Sequence, residues 1–237
     1  MVNRHTANKI RKTHRYLGIF IGIQFLFWTI SGLYFSWTNI DEIHGDQYHK
    51  EFKTASFTNL LSPSQLASNA SVKSVQLRNI DNKPYYWINN EKLYDAKTGA
   101  LKNGITKEEA LSIASQNLIS TLKVEDIQLI TEVGKQHEYR EHLLPAYVIS
   151  YVEENNLKAY ISVADGTFQT IRHRDWRWFD FLWMTHTMDY EGRDNMNNLL
   201  LRTFSVLGLI TVLSGFLLWF TTSPTIRKLF KIRSKKK

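Results

Sequence analysis

Histidine is the residue type in this sequence that is best suited to bind a metal. There is no cysteine, so cysteine-based zinc sites, iron–sulfur clusters and cysteine nucleophiles are excluded, and sulfur ligands are limited to four methionines. Imidazole binds iron, copper and zinc, so the position of each histidine along the chain decides which of them could share a site. The eight histidines are His5, His14, His44, His49, His137, His142, His173 and His186.

Two uncharged segments predict helices that cross a membrane. Residues 17–37 and 203–222 contain no charged side chain, and as helices each would reach about 30 Å, the thickness of a bilayer core. Buried core helices of soluble proteins rarely contain such runs. A cleaved signal peptide is disfavoured for the first segment, because its apolar run is long and no small-x-small cleavage site follows.

The charges predict the orientation of these helices. Residues 1–16 contain five basic and no acidic side chains, and residues 223–237 contain seven basic and no acidic ones. By the positive-inside rule both tails should be cytoplasmic, with residues 38–199 on the other side of the membrane. The formal net charge of +8 therefore comes from the flanks of the two helices. Such clusters suit anionic lipid, and nucleic-acid binding has no support.

The segment between the two helices shows one pattern twice. A short helix around residues 62–70 is followed by three strand-like stretches with a turn at Asp95–Gly99. A capping box at Thr106 and Glu109 then opens a second helix, which is followed by three more such stretches with a turn at Asp165–Gly166. Each unit is a helix followed by an antiparallel sheet, so the predicted fold class is α+β.

These elements resemble a known family. LPAYVISYVEENNLKAYISVADGTFQTI resembles the PepSY domain, and the first unit, which ends in LYDAKTGAL, is similar to a degenerate copy. THRYLGIFIGIQFLFWTISGLYF and WMTHTMDYEGRDNMNN resemble the first helix of the PepSY-associated transmembrane family and the segment before its next helix. The predicted divisions are basic tail 1–16, membrane helix 17–37, first PepSY-like unit with linker 38–105, second unit 106–173, aromatic interfacial segment and loop 174–199, membrane helix 200–222 and basic tail 223–237.

The resemblance implies a location and two classes of function. It implies a protein of a bacterial cytoplasmic (inner) membrane, with the tandem domain in the periplasm. Larger members with four or more spans include haem proteins that pass electrons to ferric siderophores, so a two-span chain would need a homodimer for a complete electron path. PepSY domains elsewhere are linked to peptidase inhibition and propeptides, which implies instead a binding module for a peptide, a peptidase or an envelope partner, held by strand addition or in a groove.

Three histidines are candidate ligands of haem b. His44 follows the first membrane helix and His186 precedes the second, so both are expected on the outer side, where WRWFDFLWM could cover a porphyrin. His14 lies on the cytoplasmic side, cannot share an iron with His186 of the same chain, and could be a ligand shared across a dimer. The alternatives are a hydrogen-bonded junction at His44 and His186 with an interfacial aromatic belt, and a His14 that meets lipid phosphate.

The remaining histidines are not expected to bind metal. His49, His137, His142 and His173 should be solvated or in loops. HEYREH spaces its two histidines by five, whereas a zinc peptidase helix needs them at i and i+4 on one face. No nucleotide-binding glycine motif or nucleophile elbow occurs either, so a hydrolase has no support.

Polar and small residues near the membrane helices give further expectations. Asp189 or Asp194 should accept a hydrogen bond from the ring of His186, and Asp194 should cap the second membrane helix. The pairs Ser31–Gly32 and Ser214–Gly215 are expected near the outer ends of their helices, where they would contact each other. With the GxxxG at Gly18 and Gly22, they favour helices that pack together or dimerise.

Overall fold

The structure, a computed structural model, describes residues 4–51, 55–66, 71–152 and 155–225. Its helices are α1 (Arg4–Trp37), α2 (Ile40–His44), α3 (Pro63–Leu66), α4 (Lys107–Asn117), α5 (Arg174–Thr187) and α6 (Leu199–Thr222). Its strands are β1 (Val75–Ile80), β2 (Lys83–Ile88), β3 (Lys92–Asp95), β4 (Leu101–Lys102), β5 (Val124–Ile130), β6 (Ala146–Tyr151), β7 (Lys158–Ser162) and β8 (Phe168–Arg172). The chain divides into a helical unit, Met1–Trp37 with Asp180–Lys237, and a sheet unit, Thr38–Phe179.

The helical unit is built on α1 and α6. Each contains a stretch that is long and apolar enough to cross a membrane, Asn8–Trp37 and Leu199–Phe220, and most of its apolar side chains are exposed. The two helices pack antiparallel, with the rings of Phe20 and Phe204 stacked at 5.4 Å. Close approach is allowed at Gly208, where a Cβ would lie 3.1 Å from the ring of Phe25.

The start of α6 corrects one expectation. Asn198 is the N-cap, and its Oδ1 accepts a hydrogen bond from the Leu201 amide at 2.7 Å. The expectation that Asp194 caps this helix is wrong, because a cap must directly precede the first helical residue and α6 begins at Leu199. Asn198 is also tied to the end of α5, since its amide donates to the carbonyl of Thr187 at 2.9 Å.

The sheet unit contains two antiparallel four-stranded sheets, in the orders β1-β2-β3-β4 and β5-β6-β7-β8. The two predicted turns occupy the same place in each sheet. The Asp95 carboxylate accepts two backbone hydrogen bonds, each 2.8 Å, and Gly99 has φ +78°. The Asp165 carboxylate accepts from Thr167, and Gly166 has φ +67°. The predicted α+β fold, two sheets with helices between two terminal membrane helices, is confirmed.

One helix, α4, joins the two sheets into a single core. The predicted capping box is present: Thr106 Oγ1 accepts from the Glu109 amide at 3.3 Å, and Glu109 Oε2 accepts from the Thr106 amide at 2.8 Å. Below the cap, α4 buries Ala110, Ile113 and Ala114. Their neighbours in the core come from both sheets: Ile80, Tyr85, Trp87, Leu93, Ile149, Tyr151, Ala159, Ile161 and Ile171. The helix of the first copy, α3, has four described residues, and positions 67–70 of the predicted helix lie outside the described residues.

Gly166 should not tolerate a side chain. Its φ of +67° disfavours L residues, and a Cβ would lie 2.8 Å from the side chain of Ile80. We expect Gly166→Ala to lower the free energy of unfolding by about 1 to 3 kcal/mol. Gly134→Ala is the control, because a Cβ at Gly134 meets nothing within 4 Å. Denaturation of the two variants in mild detergent measures the difference, and equal stabilities would contradict this expectation.

Candidate functional site

His186 is held by a serine of α1. The Nδ1 of His186 lies 2.7 Å from Ser31 Oγ. Ser31 Oγ also lies 2.7 Å from the carbonyl oxygen of Phe27, which can only accept, so the single hydroxyl proton is donated there. Ser31 Oγ must then accept from an Nδ1–H of His186. In the uncharged form with this hydrogen bond, the ring would have its lone pair on Nε2.

Other side chains of α1 fix the end of α5 in the same place. Trp28 Nε1 donates to the His186 carbonyl at 2.8 Å, and Gln24 Nε2 donates to the Thr185 carbonyl at 3.2 Å. Phe35 presents its edge to the His186 ring, with 5.7 Å between the centroids. These α1 residues lie within the predicted membrane helix 17–37, so the end of α5 packs beside the spanning part of α1.

His14 shows the same arrangement with the partners exchanged. Its Nδ1 lies 2.8 Å from Ser214 Oγ, which donates its own proton to the Thr211 carbonyl at 2.7 Å. Ser214 Oγ is thus placed to accept from Nδ1–H of His14, which would leave Nε2 as the other ring nitrogen for a ligand. Gly215 leaves room for the ring, because a Cβ there would lie 3.1 Å from His14 Cε1. An open groove of about 530 Å³ adjoins it, lined by His14, Thr211, Val212, Gly215, Phe216 and Trp219.

The two serine–histidine pairs lie at opposite ends of the helix pair. His14 and Ser31 are seventeen positions apart on α1, about 26 Å of helix. The expectation that both Ser–Gly pairs lie near the outer end and contact each other is wrong, because α6 runs antiparallel to α1 and brings Ser214 beside His14. The separation agrees with the expectation that His14 and His186 of one chain cannot share an iron.

The donor sets fit axial ligation of a haem iron better than a protein-only metal site. Among the described residues no group of three or more His, Asp or Glu could hold a metal ion. Each site instead offers one imidazole whose Nδ1 is held by a serine hydroxyl, which leaves Nε2 as the ring nitrogen that could bind a metal. The surroundings are apolar and aromatic, as a porphyrin requires.

His44 lies in the sheet unit. It is the last residue of α2, its side chain is exposed, and the helix ends at Gly45, which has φ +90°. His186 belongs to the helical unit, so the pairing of His44 with His186 as two ligands of one haem stays a prediction.

His173 lies between β8 and α5, outside any helix or strand, as one part of the expectation had it, but it is buried rather than solvated. Only 1% of His173 is exposed, because α2 packs over its ring. The ring Nε2 lies 3.1 Å from the carbonyl oxygens of both Glu42 and Ile43 in α2. The ring of Tyr48 covers it at 5.7 Å. Sequence position could not show this, because the partners are about 130 residues away along the chain.

The HEYREH segment forms turns, so the exclusion of a zinc helix is confirmed. Its Glu138 is the centre of a cluster that the sequence did not predict. Glu138 accepts hydrogen bonds from Tyr160 Oη at 2.6 Å and from Arg177 Nε and Nη2 at 2.5 and 3.0 Å. Tyr139 stacks on Tyr160 at 4.6 Å, and His142 stacks on Tyr139 at 5.0 Å. The cluster fastens this segment to the face of the second sheet that α4 leaves uncovered.

Burial and charge shift the pKa values of this cluster. Burial raises the pKa of Tyr160 strongly, and the Glu138 carboxylate adds to the shift. Burial alone would raise the pKa of Glu138, but the bonds from Arg177 and Tyr160 outweigh it and lower that pKa below its usual value. The sequence of β7, KAYIS, indicates this burial, because it has apolar residues on both faces of the strand. Such a strand is expected to be covered by other residues on both faces of the sheet.

The loop between α5 and α6 is organised by Asp189. Its carboxylate accepts backbone hydrogen bonds from Asn195 at 2.8 Å and from Glu191 and Gly192 at 3.3 Å. Burial would raise the pKa of Asp189, but these bonds lower it. Asp189 is not hydrogen-bonded to the His186 ring, whose Nδ1 lies beside Ser31 Oγ, and the expectation that Asp194 accepts from this ring stays a prediction. A buried ion pair between Asp180 and Arg193 lies in the same unit.

Comparison with known proteins gives one match. A search of curated proteins and a search of solved structures each find no significant match. A family model described as "PepSY-associated TM region" matches residues 2–222, nearly the whole chain, including both apolar helices and both sheets. The protein is therefore membrane-associated, and the chain belongs to the PepSY-associated TM region family.

Proposed function

We propose that this protein is a haem-bearing redox component of a bacterial cytoplasmic membrane, with iron or ferric-siderophore handling as its setting. The observation that carries the proposal is the repeated serine–histidine pair of the helical unit. In both pairs the serine hydroxyl also lies within hydrogen-bond distance of a backbone carbonyl, so the serine is placed to accept from Nδ1–H of the imidazole and to leave Nε2 for a ligand.

The residues around each imidazole would hold b-type haem in a defined way. Ser31 and Ser214 would orient the rings and raise the basicity of Nε2, as partners of metal-bound histidines do. Gly215 leaves a flat surface beside His14, with Phe216 and Trp219 as apolar walls. When bound, haem supplies one-electron transfer between its ferric and ferrous states. His44 is proposed as a second ligand at the His186 site.

The proposed orientation places both chain ends in the cytoplasm and the sheet unit in the periplasm. This orientation is supported by four basic side chains near the start of α1, all of which are exposed: Lys9, Arg11, Lys12 and Arg15. The basic tail of residues 226–237 lies outside the described residues. Asp189, Asp180 and Glu191 at the other end of the helical unit agree with an outward-facing end.

An absorbance spectrum tests the function. The protein, purified in mild detergent from haem-supplemented cells, should show a Soret band that sharpens on dithionite reduction, with split bands at lower energy. His14→Ala and His186→Ala should each remove a part of the low-spin signal, and the double variant all of it, since each site depends on one of these ligands. His49→Ala, an exposed residue of the sheet unit, is the control. A featureless spectrum at good yield, or a full spectrum in the double variant, would refute the proposal.

A non-catalytic binding module is the second candidate. The observation that favours it is the pair of edge strands β1 and β5, each paired with one strand among the described residues, whose Leu77 and Leu129 are 45% and 53% exposed. An extended peptide could add a strand to either edge. Crosslinking in cells from a photoreactive residue at position 129, compared with position 132, should then trap one specific partner at 129, and no such product would count against it.

A further inference from the structure

We infer that a second copy of this chain completes the haem site at His14, so that one haem is ligated by His14 from each of two copies. The inference rests on the proposed haem function and deepens it by naming the partner. It concerns the groove beside His14 on the α1–α6 pair.

The groove offers half of a haem site. Its single ligand atom is His14 Nε2, because the hydroxyl of Thr211 is already used on the Leu207 carbonyl at 2.8 Å. Its other lining side chains, those of Val212, Phe216 and Trp219, are apolar. The groove is open at the surface of the helix pair, so a haem lying in it would have one axial ligand and one uncovered face.

Among the described residues, the helical unit has no second histidine at this depth. The helical unit contains His5, His14 and His186. His5 is nine positions before His14 on α1, about 13 Å, and His186 contacts α1 about 26 Å away. A low-spin haem with two imidazole ligands therefore needs a ligand from outside this helical unit. A second copy related by a two-fold axis along the membrane normal brings the same imidazole at the same depth.

A face of α1 next to the groove is open for this contact. Gly18 and Gly22 lie about 40° and 80° around α1 from His14. A Cβ at either position would meet nothing within 4 Å, so neither glycine is used for packing on α6, which approaches instead through its own Gly208 and Gly215. Small residues spaced in this way let two membrane helices approach closely.

Mixed dimers test the sharing of the ligand. In a His186→Ala background, so that only the His14 site reports, chains with and without His14→Ala are given different tags, coexpressed and purified through both tags in succession. We expect these mixed pairs to lose essentially all low-spin signal. Pairs of two His14 chains, purified identically, should bind one haem per two chains.

The outcomes separate this inference from the proposed function. Mixed pairs that retain half of the low-spin signal, or a monomer with one low-spin haem per chain, would overturn the shared site and leave the haem function standing. Absence of haem from the wild-type chain would refute the function itself.

A packing variant tests the contact surface without touching a ligand. Gly22→Leu should lower the dimer fraction and the low-spin signal together by several fold, because its side chain would enter the contact. Ile23→Phe adds bulk about 180° away from His14, at a position that is 63% exposed, and should change neither. A Gly22→Leu protein with the dimer fraction and spectrum of the wild type would contradict a contact at this face.

Discussion

Glu138→Ala is expected to lower the free energy of unfolding of the sheet unit by about 2 to 4 kcal/mol. The substitution leaves Arg177 without its carboxylate and the buried Tyr160 hydroxyl without an acceptor. The estimate lies below the range for fully buried pairs, because the side chain of Arg177 is 31% exposed. Denaturant titration of the full chain in mild detergent, followed by tryptophan fluorescence, measures it. Glu132→Ala is the matched control, since Glu132 is exposed in the same segment.

The same carboxylate should make stability depend on pH. The pKa of Glu138 is lower in the folded chain than its usual value of 4.5, so the ionised form is favoured by folding. Its contribution is fully present above pH 4.5 and is lost as the pH falls through the lowered value. The stability gap between the wild type and Glu138→Gln should therefore shrink below pH 4.5. A gap that stays constant or widens on acidification would show that the carboxylate charge is not what Arg177 and Tyr160 recognise.

Asp165→Asn should cost about 2 to 3 kcal/mol of unfolding free energy, whereas Asp95→Asn at the equivalent turn should cost less than about 1. Both carboxylates accept hydrogen bonds within their turns, which asparagine can still accept. Only Asp165 also binds Arg78, at 3.0 Å, and its side chain is 2% exposed. Asp165→Asn therefore removes a negative charge that is buried beside Arg78, whereas Asp95→Asn removes one that lies near solvent.

Comparing the two denaturation midpoints tests whether burial decides the outcome. Because the chain supplies its own control, differences in detergent or expression cancel. Equal losses at the two positions would mean that the pair with Arg78 adds nothing beyond the turn.

The features that the sequence predicted correctly are local ones. The capping box at Thr106 and Glu109 and the turns at Asp95 and Asp165 are specified by residues within five positions of each other. The membrane helices are specified by length and by the absence of charge. Each of these patterns predicts the structure correctly because the residues that interact are already close together in the sequence.

The contacts that define the candidate site are distant in sequence and were missed for that reason. Ser31 and His186 are 155 positions apart, and His14 and Ser214 are 200 apart. The Ser–Gly pairs in the sequence indicated that both serines are small residues for helix packing. No nearby residue indicated that each serine hydroxyl contacts the ring of a histidine. The buried His173 and the Glu138 cluster were missed likewise, since their burial depends on which face of a sheet is covered.

The position of α4 in one core shared by both sheets has a consequence during synthesis. Strands β1 to β4 leave the ribosome before Lys107–Asn117 has been made, and domains generally fold from the N-terminal end first. Until α4 has been synthesised, the first sheet exposes the side chains of Tyr85, Trp87 and Leu93, which form a hydrophobic surface on the nascent chain. The first sheet therefore cannot bury its core face until α4 of the second copy has been synthesised. We expect holdase chaperones to bind the chain during that interval.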